Sequence, residues 1–419
     1  MRKPDLPERL YLDFDSFFAS AEQQMNPALQ GRPVGVVPHA SEFTGLIAAS
    51  KEAKKLGLKT GTSVREARAI CPEIAIVEAR PDEYVKLHHK ILDIIDTVLP
   101  IGSVRSIDEL VCRLLPSESR QAEALGLAIK AALREKLGSA LTCSIGVAPN
   151  ELLAKIAAEI DKPDGLVIVR PEDIPHRFLE LKLRDLPGIA AGVEARLLRS
   201  GITTVEELWK ISPKQGRAIW NSVEGERFIA GLHGYAVEKQ ETQRRMFGHG
   251  RVLPRDWRQP DKILQCARLL CMSASRRLRK EHYRASALVY GWRIKGQDSV
   301  SVEGMFPPSR DDHCFLTCLS QLHRRLLMHP EFRKADFRQV KNVHIYLHHL
   351  SGEVVDSHDL FDEPQDKQRQ QRWEQVSDTL DRVRKQFGSD ALSLGPSIAP
   401  GSYIGGKIAF GRIPDLDDY

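Results

Sequence analysis

RLYLDFDSFFASAE, residues 9–22, is the stretch on which the reading of this chain turns. Its first half has strand composition, buries Leu10, Leu12 and Phe14, and ends in the acids Asp13 and Asp15. Its second half runs directly into helix formers, so residues 16–25 read as a helix. A further buried strand is expected at 33–37 (PVGVV) and a helix at 47–57, stopped by Gly57. Apolar residues at helical spacing predict helices over 83–98 (Val85, Ile91, Leu92, Ile95) and 120–137 (Leu125, Ile129, Leu133). Between them, SVRSIDELVCRLL at 103–115 reads as a strand interrupted by Asp108 and Glu109, a strand pair near 108. LTCSIGVA at 141–148 is another strand, followed by a helix from Asn150 to about Ile160. That order is the order of a ferredoxin-like split sheet, which sets the strand of Asp13 beside the strand of Asp108 and Glu109. Three carboxylates meeting from two strands repel one another and raise their own pKa values unless a cation neutralises them. An oxygen-only donor set suits Mg2+. Two such ions about 3.5–4 Å apart would clamp the attacking and leaving oxygens of an in-line phosphoryl transfer; acids solvated at a sheet edge are the other reading of the same spacing.

The whole chain has 419 residues, 42% hydrophobic and 28% charged, which predicts three or four domains. No apolar run approaches the roughly 20 residues of a membrane span. The opening MRKPDLPERLYLDFD has no apolar signal core, and seven scattered cysteines fit a reducing compartment, so a cytoplasmic location is expected. The net charge of +5 is uneven. Residues 241–350 carry 21 Lys and Arg against 10 Asp and Glu, leaving the remainder slightly acidic, which points to one module that meets a polyanion. Residues 183–208 read as a compact helical unit with a Pro-Gly turn, and 236–246 as a linker. The basic block reads as helix 261–281, strand 286–296, helix 312–328 and strand 340–348. Residues 351–372 read as a polar tether, 373–388 as a helix, and the rest as a Gly-rich tail. His313, Cys314, Cys318 and His323 raise a zinc reading. Their spacing is not that of a finger, and the apolar residues among them predict an amphipathic helix instead.

Three ordered motifs carry a resemblance: LDFDSFFASAE at 12–22, SIDEL at 106–110 and CSIGVAPNELLAKIAAEIDKPDGL at 143–166. Together they resemble the Y-family, the bacterial DinB/UmuC-like translesion DNA polymerases. The resemblance implies an α+β multidomain right hand. Its parts would be a ferredoxin-like palm (1–16 and 80–172), small fingers (17–79) and a helical thumb with a helix-hairpin-helix (173–240). A ββ/αα little finger (241–350) and a C-terminal tether and tail (351–419) would follow. It implies low-fidelity, template-dependent DNA synthesis with primer-template DNA and dNTP as substrates, by a monomer with two Mg2+ ions per active site. Asp13 and Asp108 would ligate both ions and Glu109 the catalytic one, with the Phe14 carbonyl completing the nucleotide-bound metal. Asp15 would be structural. Phe18 matches the steric gate, whose ring excludes a ribose 2′-hydroxyl. Backbone N–H groups at Ser16 and Phe17 would face the triphosphate, and Lys155 falls where the family places a triphosphate lysine. IAASKEAKKLGLKTG at 47–61 departs from the pattern: Lys51 and Lys54 stand where a Tyr and an Arg are usual, so the bidentate fork is lost while cationic charge remains. Ile47 and Gly61 would roof the nascent base pair.

LPGIAAGVEARLLRSGI at 186–202 resembles a helix-hairpin-helix whose Gly188 turn meets a phosphate. In the basic block, Arg244, Arg245, Arg251, Arg255, Arg276, Arg277, Arg279 and Lys280 are the expected duplex-phosphate contacts. SHDLFDE at 357–363 is similar to the Leu-Phe peptides that grip a sliding clamp, with Leu360 and Phe361 as the contacts and Ser357 in place of the usual Gln. An alternative is a non-catalytic accessory subunit of a mutasome that bridges DNA, clamp and another polymerase; the retained Asp13, Asp108 and Glu109 favour the enzyme.

Overall fold

A computed structural model describes residues 1–237, 243–294, 298–333, 337–352, 364–388, 391–392 and 394–395. The chain divides into two compact units, one up to Gln240 and one from Glu241.

The strands of the first unit are Arg9–Phe14 (β1), Val34–Val37 (β2), Ala48–Ala49 (β3), Ala75–Glu78 (β4), Ile101–Val104 (β5), Glu109–Arg113 (β6), Cys143–Ala148 (β7) and Leu166–Ile168 (β8). Its helices are Phe17–Met25 (α1), Lys51–Lys55 (α2), Val64–Ile70 (α3), Pro81–Asp96 (α4), Pro116–Arg120 (α5), Ala122–Leu137 (α6), Glu151–Ile160 (α7), Ala191–Arg199 (α8), Val205–Lys210 (α9), Pro213–Trp220 (α10) and Val223–Leu232 (α11). Five strands form one sheet in the order β5-β6-β1-β7-β8, the split arrangement expected, with β1 central and antiparallel to both β6 and β7. The interrupted strand read at 103–115 is a hairpin of β5 and β6. The N–H groups of Arg105 and Ser106 both donate to the Glu109 carbonyl, at 2.8 and 3.2 Å, which turns the chain and puts Asp108 at its tip. The helix expected over 47–57 is shortened likewise. Ile47 and Ser50 give their N–H groups to Val36 and Val34 of β2, and Ser50 then caps α2 through Ala53 N. β2, β3 and β4 make a separate small sheet.

Helix α7 rides directly on β7. A Cβ at Gly146 would lie 2.1 Å from the Ala154 carbonyl oxygen and 2.3 Å from Ala158 N, so backbone meets backbone with no side chain between. Tyr11 and Val111 of the sheet share a core with Leu153, Ile156 and Ala157 of α7, and that core continues into Phe178, Leu186, Ile189 and Leu197. α4 and α6 pack together and onto the same sheet.

In the second unit, Met246–Val252 (β9), Pro260–Lys280 (α12), Tyr283–Ile294 (β10), Ser299–Ser309 (β11), Asp312–Leu327 (α13), Pro330–Arg333 (α14) and Val340–Gly352 (β12) precede a last helix, Pro364–Phe387 (α15). The sheet runs β11-β10-β12-β9. Leu288, Tyr290 and Trp292 of β10 and Val343, Ile345 and Leu347 of β12 join Leu270 of α12 and Phe315 and Leu319 of α13 in one core. β9 and β11 lie where no strand was read. MFGHGRV carries two glycines and SVSVEGMFPPS ends in two prolines, both poor in strand propensity. Both are edge strands, where such residues are tolerated.

The tether read at 351–372 is corrected by α15, which starts at Pro364 and belongs to this unit. Its composition is polar because its buried face is ionic. Arg310 makes two parallel bonds to Asp378 (2.8 and 2.9 Å), Arg279 makes two to Asp381 (2.7 and 3.0 Å), and Arg284 pairs with Glu374. Ser377 accepts the Asp312 N–H at 3.0 Å, and Leu380 is buried beside them.

Candidate active site

The end of β1 delivers Asp13 opposite Glu109 in register, and the Phe14 N–H donates to the Asp108 carbonyl at 2.9 Å. The two strands thus bring Asp13, Asp108 and Glu109 to one sheet end, as the sequence required. Ser106 steadies the hairpin acids, its hydroxyl donating to Asp108 Oδ1 at 2.5 Å and lying 3.4 Å from Glu109 Oε2. Asp15 lies past the end of β1 and is buried. It accepts bonds from Thr142 Oγ1, Ser144 Oγ and the Asp164 N–H, each 2.8 Å, so its oxygens are occupied by the fold.

A cleft of about 330 Å³ opens at this point. Asp13, Asp108 and Phe14 form its floor with Lys162; Ser16, Phe17 and Phe18 come from the head of α1, and Ile47, Lys54 and Thr60 from the segment around α2. Ser16 caps α1 in a left-handed conformation (φ 53°), and its buried hydroxyl makes no hydrogen bond. Phe18 stacks on Tyr84 of α4, with ring centroids 4.8 Å apart. Tyr84 donates to Glu22 at 2.8 Å, and Arg80 pairs with the same carboxylate. The ring that faces the cleft is therefore held from behind.

Electrostatics separates the three acids. Burial pushes the Asp13 carboxyl up to about 7, although Lys162 Nζ lies 2.8 Å from it. Burial also raises Asp108, with the Ser106 hydroxyl opposing and the Glu109 charge adding. For Glu109 burial is outweighed by the hydrogen bond and charge of Lys155, and its carboxyl is held below the usual range. The donor set therefore fits a hard divalent cation: oxygens only, on carboxylates that burial drives toward protonation in the absence of positive charge.

The lysines correct the sequence reading. Lys155 does not line the cleft; its ammonium bonds Glu109 and lies 3.1 Å from Tyr11 Oη. Lys162 does line it, and sequence reasoning missed it. Its signal was the DKPDG turn directly after α7, which returns to the sheet end that holds Asp13 and Asp15. Of the two replaced positions, Lys54 faces the cleft, while Lys51 Nζ donates to Thr142 Oγ1 at 3.2 Å. Tyr84 and Ser106 were missed as well.

Gly188 takes a positive φ of 92° in the turn that leads into α8, a backbone conformation suited to glycine. In the second unit the expected phosphate contacts divide. Arg245 and Lys280 are exposed, as is Arg255, and Arg251 and Arg276 are half-buried. Arg244 pairs with Glu281 at 2.9 Å and lies over the Phe247 ring. Arg277 and Arg279 are corrected: both are buried. Arg277 donates to the carbonyls of Gly248 (3.2 Å) and Ser273 (3.4 Å), and Arg279 is enclosed by Asp312 and Asp381. Neither guanidinium can be spared for a phosphate. Leu360 and Phe361 lie outside the described residues. Two of the four candidate zinc ligands are engaged elsewhere: His323 bonds Tyr290 Oη at 3.0 Å and His313 stacks on Trp373. No helix among the described residues is long and apolar enough to cross a membrane.

Residues 12–159 match the impB/mucB/samB family, and residues 244–360 match the impB/mucB/samB family C-terminal domain. The DNA polymerase IV of Pelotomaculum thermopropionicum is 28% identical over 408 residues, covering 94% of this chain and 96% of that protein. The DNA polymerase IV of Moorella thermoacetica is 35% identical over 286 residues, covering 65% and 70%. Among solved structures, the Y-family DNA polymerase chimera Dbh-Dpo4(243-245)-Dbh superposes with a TM-score of 0.67 at 25% identity, covering 81% of this chain and 98% of that one. An insertion ternary complex of Dbh DNA polymerase (TM-score 0.55, 24% identity) shares the fold. An α+β multidomain architecture, a carboxylate-floored cleft, family matches over both units and relatives covered over 70% and 96% of their length lead to one assignment: the chain belongs to the impB/mucB/samB family, the Y-family DNA polymerases.

Proposed function

We propose that the chain is a template-directed DNA polymerase of the translesion class, joining dNTPs to a primer 3′-hydroxyl with release of pyrophosphate. The observation that carries this reading is the convergence of Asp13 and Asp108, with Glu109 opposite Asp13 in register, at an open cleft whose floor also holds Lys162 and whose walls bear Lys54 and the head of α1. Asp13 and Asp108 would hold two divalent ions, Mg2+ by donor type, with Glu109 and the Phe14 carbonyl completing the set. When bound, such ions supply Lewis-acid stabilisation of the charge on the phosphoryl oxygens.

The chain's own groups do the rest. Lys162 and Lys54 would offer point charges to the triphosphate, without the planar fork an arginine would give. The head of α1 would present backbone N–H groups and the Ser16 hydroxyl to the same oxygens. Phe18, backed by Tyr84, would close the space beneath C2′ of the incoming sugar. Ile47 and Thr60 are short at the cleft wall, which leaves room for a distorted template base. In the second unit, Arg245, Arg255 and Lys280, with Arg244, Arg251 and Arg276, would position duplex phosphates without reading sequence. Gly188 would serve the primer-template in the same way. Leu360 and Phe361 are proposed clamp contacts on the strength of SHDLFDE alone.

Primer extension on an undamaged template with Mg2+, comparing wild type with Asp108→Ala, tests the reading. Wild type should extend and the variant should fall by about a hundred- to a thousandfold, the scale of losing a charge-stabilising group at the reacting centre. Equal extension by the two proteins would sink it.

A further inference from the structure

The second unit carries a cluster that the polymerase chemistry does not use. Glu303 on β11 and His348 and His349 on β12 bring one carboxylate oxygen and two imidazole nitrogens within 4.8 Å of one another. The two strands are not neighbours, since β10 runs between them. On the face away from α12 and α13, β10 presents only Ala287 and Val289 at this level, opposite Met305 and Glu303 on one side and His348 and Tyr346 on the other. Residues that small let longer side chains meet above the central strand.

Successive residues of a strand point to opposite faces. His349 breaks that rule with a φ of 54°, and its ring comes to lie 4.6 Å from that of His348, at a right angle. A left-handed backbone at a non-glycine residue is uncommon. His348 Nε2 is buried and lies 2.9 Å from Glu303 Oε1, yet makes no hydrogen bond. An imidazole nitrogen this close to a carboxylate, with no aligned hydrogen bond between them, has the geometry that a shared cation would satisfy.

We infer that Glu303, His348 and His349 form a binding site for a borderline divalent cation of the Zn2+ type, apart from the catalytic carboxylates. Two imidazoles and one carboxylate are a donor set that zinc accepts, whereas Mg2+ prefers oxygens. Four ligands around zinc stand roughly 3.4 Å apart, so a small contraction of the present cluster would seat the ion and leave a fourth position for water. A bound ion would tie β11 to β12 across β10, so zinc should raise the melting temperature of the full-length chain.

The test is a Zn2+ titration of the metal-stripped full-length protein, in competition with a chromophoric chelator, for wild type, Glu303→Gln and the double variant His348→Ala/His349→Ala. Wild type should bind one more equivalent of Zn2+ than the double variant, and Glu303→Gln should weaken that equivalent by at least tenfold. Millimolar Mg2+ should not displace it. Co2+ substitution gives a second reading: wild type should show the visible absorption of a four-coordinate site, and the variants should lose it. Equal stoichiometry and affinity in all three proteins, or ready displacement by Mg2+, would overturn the assignment. Circular dichroism of Glu303→Gln, which keeps the side chain's size, separates lost ligation from lost fold.

Discussion

Asp13 in the first unit and Asp312 in the second are both almost buried carboxylates within reach of a cation, and they illustrate two uses of buried charge. Asp13 meets the ammonium of Lys162, a point charge on a flexible stem, and its carboxyl is still pushed up to about 7. Asp312 meets the guanidinium of Arg279, which also grips Asp381 through two bonds, bonds Ser275 Oγ at 2.6 Å and donates to the Arg310 carbonyl at 2.9 Å. The first arrangement leaves a demand for positive charge at the floor of a cleft; the second spends its charges on one another. Where burial outweighs countercharge, a ligand has work to do, and where buried charges pair with one another, three helices, α12, α13 and α15, are clasped.

The sharpest way to break this contrast is Arg279→Met. Removing one partner of a buried pair leaves Asp312 uncompensated and should cost about 3–5 kcal/mol. Urea unfolding should show that loss, while the folded fraction keeps its DNA affinity. A selective loss of DNA binding with stability intact would return Arg279 to the phosphate contacts. The clasped unit can also be opened by protons. Burial lowers the His323 pKa to about 4, so the unfolded state takes up its proton first as pH falls. That contribution to stability is complete above the ordinary histidine pKa and lost between roughly pH 6.5 and 4, amounting to about 3 kcal/mol at most. His323→Gln should flatten that part of the stability–pH curve; an unchanged slope would refute the assignment.

On the open side, Phe18→Ala should relax discrimination against ribonucleotides by roughly a hundredfold, a loss of about 2.7 kcal/mol. Single-nucleotide insertion with dCTP and rCTP reads it, and an unaltered sugar preference would remove Phe18 as the gate. The smallest effect concerns the lysines. Lys162→Ala should raise KM for dNTP by about tenfold, the size of one exposed ionic contact to a phosphate group. Lys155→Ala should change kcat more than KM, because it touches Glu109 and not the cleft. The opposite pattern would restore Lys155 to the triphosphate.

Much of this was legible in the sequence, for identifiable reasons. Asp13, Asp108 and Glu109 could be brought together because strand order alone fixes which strands adjoin. Phe18 could be named because LDFDSFFASAE resembles the family motif that carries the gate, not because spacing alone marks it. The choice between Lys155 and Lys162 was not legible, since it depends on how far α7 reaches along the sheet before the chain turns back. Arg277 and Arg279 looked like their neighbours in a linear basic run, and only a helix with a defined inner face separates them from Arg276 and Lys280. α15 was half missed because an ionic docking face, Glu374, Asp378 and Asp381, carries no hydrophobic periodicity.

Gly146 has a consequence for how the catalytic floor can vary. Because α7 seats main chain on main chain there, the height of Lys155 above Glu109 is set by peptide groups, which cannot be repacked as side chains can. Substitutions elsewhere in that core can trade volume among neighbours and leave the acids where they are. One added methyl at position 146 would instead act as a wedge, lifting a whole helix, and the spacing of the charges with it, from a residue that touches none of them.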